Sequence, residues 1–274
     1  MRQLRILVLA IILSFFAFNS KAECNLIPSN NLQVKQESEE GITEKEFHQV
    51  LNEFEKVMLP IVKKEGYTLQ INRKWGDDTV NANTTTEGNR WVINAFGGLA
   101  RYSGMDADAF MMVMCHELGH HMGGFPAQGW ASNEGQSDYY ATSKCYRRMS
   151  YSKSKSLQVP SVVTEKCSTL HKSQEEINIC EKGSMIGFTL ASVLNSLSGS
   201  PKSLDFTTPD KNEVSKTNNA HPKAQCRLDT YFAGAVCGIS YTEDFAKDNP
   251  IQGACAEEKG DKIGVRPHCW YKPR

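Results

Sequence analysis

Two histidines and a glutamate define the chemistry open to this chain. His116-Glu117-Leu118-Gly119-His120 has the form H-E-x-x-H. On a helix, positions i and i+4 share a face, so His116 and His120 can aim both imidazoles at one metal ion. Glu117, beside the first of them, can then reach a water at that ion and act as a base. Imidazoles that bind zinc, with a carboxylate next to the water, are the equipment of a zinc-dependent hydrolase. The pentad alone arises by chance in roughly one chain in a hundred of this length, from ordinary residue frequencies. The plain alternative is a helix whose histidines hydrogen-bond at a surface.

Zinc needs a third protein ligand and an open fourth position. The pattern H-E-x-x-H-x-x-G-x-x-H would supply a histidine. Gly123 fits it, but Pro126 stands where that histidine should be, which disfavours a metzincin. The next candidate is Glu134, 14 residues past His120, with Gly123–Ala131 as the loop that turns the chain back. Asp138, one helical turn on, shares its face. A carboxylate there can accept the second N–H of a metal-bound histidine and fix its tautomer. Read in isolation, Glu134 and Asp138 are two solvated helix charges; the upstream H-E-x-x-H favours the ligand reading.

The elements that must hold these groups follow from periodicity. Asp106 or Asp108 can cap a helix from about Ala107 to Met122, stopped by Gly123-Gly124. Phe110–Cys115 is apolar nearly all round, as in a helix buried on most sides. Upstream, Phe47, Val50, Leu51, Phe54, Val57, Met58, Ile61 and Val62 recur at helical steps from Thr43 to Lys64, and Thr43 with Glu46 matches a capping box. Tyr67–Trp75, Thr79–Thr85 and Arg90–Phe96 read as strands, the last two flanking a turn at Glu87-Gly88-Asn89. Ser132–Met149, residues 174–198 and Pro222–Ala235 read as further helices. Ser150–Ser156 and residues 199–220 are polar loops, and there are no repeats. The pattern predicts an α+β fold.

The order H-E-L-G-H, then E-G-Q-S-D-Y-Y-A, resembles the gluzincin pattern H-E-x-x-H plus E-x-x-x-D. It is most similar to the CAAX prenyl protease/HtpX-like metallopeptidases. Ala141 matches their usual alanine, and Ser137 replaces a small alanine. Val80-Asn81-Ala82 and Gly97-Gly98-Leu99 resemble the family's approach to the zinc helix, and His221-Pro222 through Arg227 resembles its H-P-x-x-x-x-R element. The match covers about Val80–Ala141 plus Ala220–Arg227; residues 150–219 and 239–274 match nothing. The resemblance implies a zincin-like fold: a small mixed sheet packed on the active-site helix, followed by a mostly helical, disulfide-bearing C-terminal part. It implies one catalytic Zn2+ held by His116, His120 and Glu134, Glu117 as general base, and Asp138 behind a ligand. It also implies His221 as a catalytic oxyanion donor, Arg227 orienting site or substrate, and a protein or peptide as substrate. One of the strands before the zinc helix, Arg90–Phe96 first among them, is expected to pair antiparallel with an extended substrate.

Composition sets the surroundings. Formal net charge is zero, which leaves no electrostatic footprint for nucleic acid. Arg2 and Arg5, the apolar run Ile6–Phe18 and Ser20-Lys21-Ala22 read as a secretory signal cut after Ala22. Cutting there removes Arg2, Arg5 and Lys21 and leaves a charge of about −3. The run is short for a membrane span. Nine cysteines follow the signal. In an exported chain they predict disulfides, and the odd number leaves at least one thiol free or paired with another chain. The local pairs Cys167–Cys180, Cys226–Cys237 and Cys255–Cys269 are expected. The expected organisation is residues 1–22 as signal and 23–42 as a polar lead or short pro-segment. The metallopeptidase domain spans 43–238, with 150–219 as an insert, and 239–274 is a disulfide-tied extension. The expected compartment is the periplasm or the medium. The competing reading keeps the zinc but makes the protein an envelope chaperone or assembly factor with little proteolysis, the insert being its partner surface.

Overall fold

The computed structural model describes residues 23–36, 38, 40–149, 158–199 and 201–273; the expected signal segment lies outside them. The chain runs β1 (Cys24–Asn25), α1 (Glu44–Lys64), β2 (Thr68–Lys74), β3 (Ala82–Glu87), β4 (Arg90–Phe96), α2 (Gly97–Ala100) and α3 (Ala107–Met122). A small hairpin, β5 (Ala127–Gln128) and β6 (Ala131–Ser132), leads to α4 (Glu134–Tyr140), a π-helical turn (Ala141–Cys145) and α5 (Tyr146–Arg148). Then come α6 (Ser161–Leu170), α7 (Gln174–Leu197), α8 (Ala224–Val236) and a 3-10 turn at Glu257–Lys259. The fold is α+β, with a four-stranded mixed sheet in the order β1-β3-β4-β2. β2 lies parallel to β4; β3 is antiparallel to both β4 and β1. Among the described residues, no helix is long and apolar enough to cross a membrane.

α3 is the central element. Asp106 caps it, its side chain accepting from the Ala109 amide, and every residue from Ala109 to His121 is buried. It is surrounded because its sequence has no polar face to give to solvent. α1 covers one side with Phe47, Val50, Leu51, Phe54, Met58 and Val62, and the expected Thr43–Glu46 capping box is formed. α4 crosses another side closely: a Cβ on Gly119 would come within 2.9 Å of the Ser137 backbone. That contact explains the glycine inside H-E-L-G-H, since any side chain there would push away the helix carrying Glu134.

Several expectations change. The predicted helix Ser132–Met149 is broken into hairpin end, α4, π-helical turn and α5. α6 was not foreseen, because only Val163 and Cys167 of its residues are buried and its periodic signal is correspondingly weak. The expected insert, 150–219, carries α6 and α7 among its described residues. Its α7 places Ile186, Leu190, Ala191, Val193 and Leu194 in the main core. Residues 23–36 and 40–42, in the expected lead, pack against the domain. Leu26 and Ile42 are buried, the Leu26 and Val34 amides donate to Ala82 and Asp78 carbonyls, and Arg101 donates to the Val34 and Lys35 carbonyls. The segment is polar yet ordered because its backbone, rather than its side chains, makes most of these contacts.

Four disulfides form among the described residues: Cys115–Cys145, Cys167–Cys180, Cys226–Cys269 and Cys237–Cys255. They fit an oxidising compartment. Cys24 is free. The expected pairs Cys226–Cys237 and Cys255–Cys269 are replaced for a geometric reason. Cys226 lies in the first turn of α8 and Cys237 caps its far end, roughly 16 Å apart at 1.5 Å per residue, far beyond disulfide reach. Each end of α8 is stapled to the tail instead. The tail buries Trp270 beneath α4, where a Cβ on Gly135 would meet its ring at 2.2 Å.

Lys144, in the π-helical turn, is fully buried. Its Nζ donates to the Ser240 carbonyl at 2.7 Å and lies over the Phe245 ring. Burial, with Arg147 nearby, brings its pKa down to about 7. The unfolded chain holds that proton up to about pH 10. Between pH 7 and 10 the unfolded state therefore binds more protons, and this residue makes stability rise with pH. Lys144→Met should flatten that rise and stabilise the protein at pH 6 by roughly 2 kcal/mol. Urea unfolding at pH 6 and pH 9 checks this; equal wild-type–variant differences at both would show that Lys144 titrates normally.

Candidate metal centre

His116 and His120 leave α3 on the same face, their rings 4.9 Å apart and perpendicular. α4 brings Glu134 opposite them, capped by Asn133, whose side chain accepts from the Gln136 amide. Glu134 Oε2 lies 3.3 Å from His116 Nε2 and Oε1 lies 3.7 Å from His120 Nε2. One ligand atom from each of the three residues falls within 4.8 Å of the others, so the group could hold a metal ion.

The far nitrogens of both rings are tied down. His120 Nδ1 donates to the Ser132 carbonyl at 2.8 Å, so its Nε2 faces Glu134 as a bare lone pair. His116 Nδ1 donates to Asp138 Oδ1 at 2.7 Å. Asp138 is itself gripped by Arg227, with Nε to Oδ2 at 2.8 Å and Nη2 to Oδ1 at 2.7 Å, and by the Tyr231 hydroxyl at 2.6 Å. Arg227, His116 and Asp138 are all buried. The Asp138 carboxyl must overcome burial to stay ionised. The Arg227 guanidinium and His116 do this and hold it well below the usual carboxylate range.

Facing this frame are buried groups with nothing to bind. Among the described residues, His116 Nε2, His120 Nε2, Glu134 Oε2 and both Glu117 oxygens have no hydrogen-bond partner, His116 Nε2 and Glu134 Oε2 facing each other at 3.3 Å. Buried polar groups are normally satisfied, and buried charges are paired or coordinate metals. Two imidazole nitrogens and a carboxylate converging within 4.8 Å of one another fit a divalent cation of zinc's ligand taste. Without a cation, burial raises the Glu117 pKa to about 8, His116 countering it and Glu134 adding to it. Burial takes His120 down to about 4. Burial also opposes a proton on His116, but Asp138 and Glu134 more than offset it and lift that ring to about 9. A cation therefore has to displace the proton on His116.

His221 reaches the same place from the loop before α8. Its Nε2 donates to the Asn25 carbonyl at 2.7 Å and lies 3.5 Å from Glu134 Oε2. Arg227 acts on the centre from behind, through Asp138, and its Nη1 donates to the Leu26 carbonyl at 2.8 Å. Its side chain is buried. His121 turns away from His116, His120 and Glu134, as its position on the helix predicts. It stacks between Trp91 and Trp130, at 4.7 and 4.8 Å, and its Nε2 pairs with the Thr84 hydroxyl. The Cys24 thiol, half-buried at the start of β1, is pushed up to about 12 by burial and by the Glu134 and Glu117 carboxylates.

The strand Arg90–Phe96 cannot take a substrate. As β4 it is flanked by β2 and β3 over its whole length and has no free edge; on its outer side β3 pairs with the two-residue β1. Sequence reading also missed Tyr231, the Ser132 carbonyl and β1. Tyr231 was legible as the i+4 partner of Arg227 on one helix face, whereas the other two are backbone contacts that no residue type announces. Compared with protein-family models, with curated proteins and with solved structures, the chain finds no match in any of the three.

Proposed function

We propose that the protein is an exported, zincin-like zinc metallopeptidase. The reading is carried by one observation: the unpartnered His116 Nε2, His120 Nε2 and Glu134 carboxylate converge next to the unpaired, buried Glu117. His116, His120 and Glu134 would hold Zn2+. When bound, zinc supplies a Lewis acid that polarises a peptide carbonyl and makes water a better nucleophile.

The chain's own residues do the rest. Glu117 accepts the proton of the attacking water and passes it to the leaving amine nitrogen. A dry pocket suits that task, since it makes the carboxylate more basic than in water. His221 donates from Nε2 to the carbonyl oxygen as charge develops on it. Asp138 and Ser132 keep each histidine in the tautomer that presents Nε2. Arg227 and Tyr231 keep Asp138 in place. An extended peptide would align along β3 by main-chain hydrogen bonds. The four disulfides support export.

Metal analysis tests the ligand set. The protein dialysed against zinc should retain one ion per chain, and Glu134→Ala should lower its zinc affinity at least 100-fold while leaving the fold intact by circular dichroism. Undiminished zinc binding by that variant would remove Glu134 from the ligand set. Cleavage of unstructured peptides, lost on chelation and restored by zinc, tests the activity. A zinc-loaded protein that cuts no member of a broad peptide library would favour the assembly-factor reading.

A further inference from the structure

β1 lies where a substrate should. It pairs antiparallel with β3, Cys24 opposite Thr84 and Asn25 opposite Asn83. The Leu26 amide donates to the Ala82 carbonyl at 2.9 Å. Two carbonyls of this segment point away from β3 into the centre's own donors: Asn25 onto His221 Nε2, and Leu26 onto Arg227 Nη1. The segment thus uses strand addition on one side and His221 on the other, the two contacts an extended peptide needs for capture. It stays anchored just beyond, where Asn81 bonds both the amide and the carbonyl of Ile27. Asn25 has no such hold from its own side chain among the described residues, and Cys24 makes no disulfide.

We infer that the outer edge of β3 beside His221 is the protein's peptide-docking site, and that residues 23–25 of its own chain occupy it as a displaceable strand. The inference rests on the metallopeptidase reading for its substrate but not for its geometry. A substrate must compete with β1, so its apparent affinity is reduced by the fraction of molecules in which β1 is docked. The segment acts as a tethered competitor. Ile27 and the residues after it remain as anchor, while Glu23, Cys24 and Asn25 leave the edge. Removal or displacement of these three residues opens the site.

The probe is the hexapeptide Glu-Ser-Asn-Leu-Ile-Pro, which copies residues 23–28 with serine for the cysteine. Its binding is measured by fluorescence anisotropy in the Glu117→Gln background, where it is not cut. Deleting residues 23–25 should tighten its binding about tenfold or more; equal affinity for the deleted and undeleted chains would overturn the inference. If the deletion fails to fold, the undeleted chain gives the answer through its free thiol. Saturating hexapeptide should raise the rate of maleimide labelling at Cys24 about tenfold, and an unchanged rate would show β1 to be a fixed strand. With Glu117 restored, the deletion should raise kcat/KM for peptide cleavage by a similar factor. Absence of any cleavage in both chains would sink the peptidase reading and leave the two binding measurements standing.

Discussion

Glu117→Gln should lower peptide hydrolysis by about a thousandfold, within the range seen for loss of a positioned general base, without loss of zinc. The substitution keeps size and shape and removes only the ability to take a proton. Among the described residues neither Glu117 oxygen has a partner, so no hydrogen bond within them is lost with it. A second readout separates this role from a structural one. Burial holds the metal-free Glu117 carboxyl at about 8, above its value in the unfolded chain. The folded state therefore binds more protons than the unfolded state between about pH 4.5 and pH 8, and stability falls as pH rises through that window. The metal-free Glu117→Gln chain should match wild type at pH 4.5 and be the more stable of the two at pH 8. A residue that destabilises its own fold yet is required for turnover is one retained for chemistry. Hydrolysis unchanged by the substitution would rule out the proposed proton transfer, whatever the stability curve shows.

Arg227→Met should destabilise the protein by about 3–5 kcal/mol, the cost of leaving a buried charge without its partner. The guanidinium makes two hydrogen bonds to Asp138 and one to the Leu26 carbonyl. Removing it leaves Asp138 fully buried with only His116 and Tyr231 to hold its charge. Zinc affinity should fall as well, because Asp138 sets the orientation of His116. Chemical denaturation and zinc competition measure the two effects. Arg227→Lys serves as the comparison: it restores a charge but not the two-pronged geometry, and should recover only part of the loss. A Met variant as stable as wild type would mean that Asp138 protonates without consequence, and the frame behind His116 would have to be reassigned.

The local chemistry was legible in the sequence for a simple reason. His116, Glu117 and His120 are linked by one helix, so their spacing alone places them on one face. The same holds for the Thr43–Glu46 capping box, which is local in sequence. Glu134 and Asp138 were legible as a pair, one turn apart, but only the crossing of α4 over Gly119 brings them against α3. Proximity along the chain is the signal that the sequence offers for disulfide partners. That works for Cys167 and Cys180, which flank a short turn, and fails for Cys226 and Cys237, which a rigid helix holds apart.

Sequence by itself determined the α+β class, the helix that carries H-E-x-x-H and the donor types available to a metal, because each depends on periodicity or on residues a few positions apart. Tertiary structure alone decided which strand faces the centre, which cysteines meet, and what stands behind each histidine. Ser132 holds His120 through a backbone carbonyl, and His221 meets Asn25 across 196 positions. Contacts of that kind are fixed by how helices cross and how strands pair, and a backbone carbonyl looks the same at every residue. The polar stretch before α1 is the clearest instance. Its composition suggests a loose lead, yet its backbone closes the edge of the sheet next to Glu117.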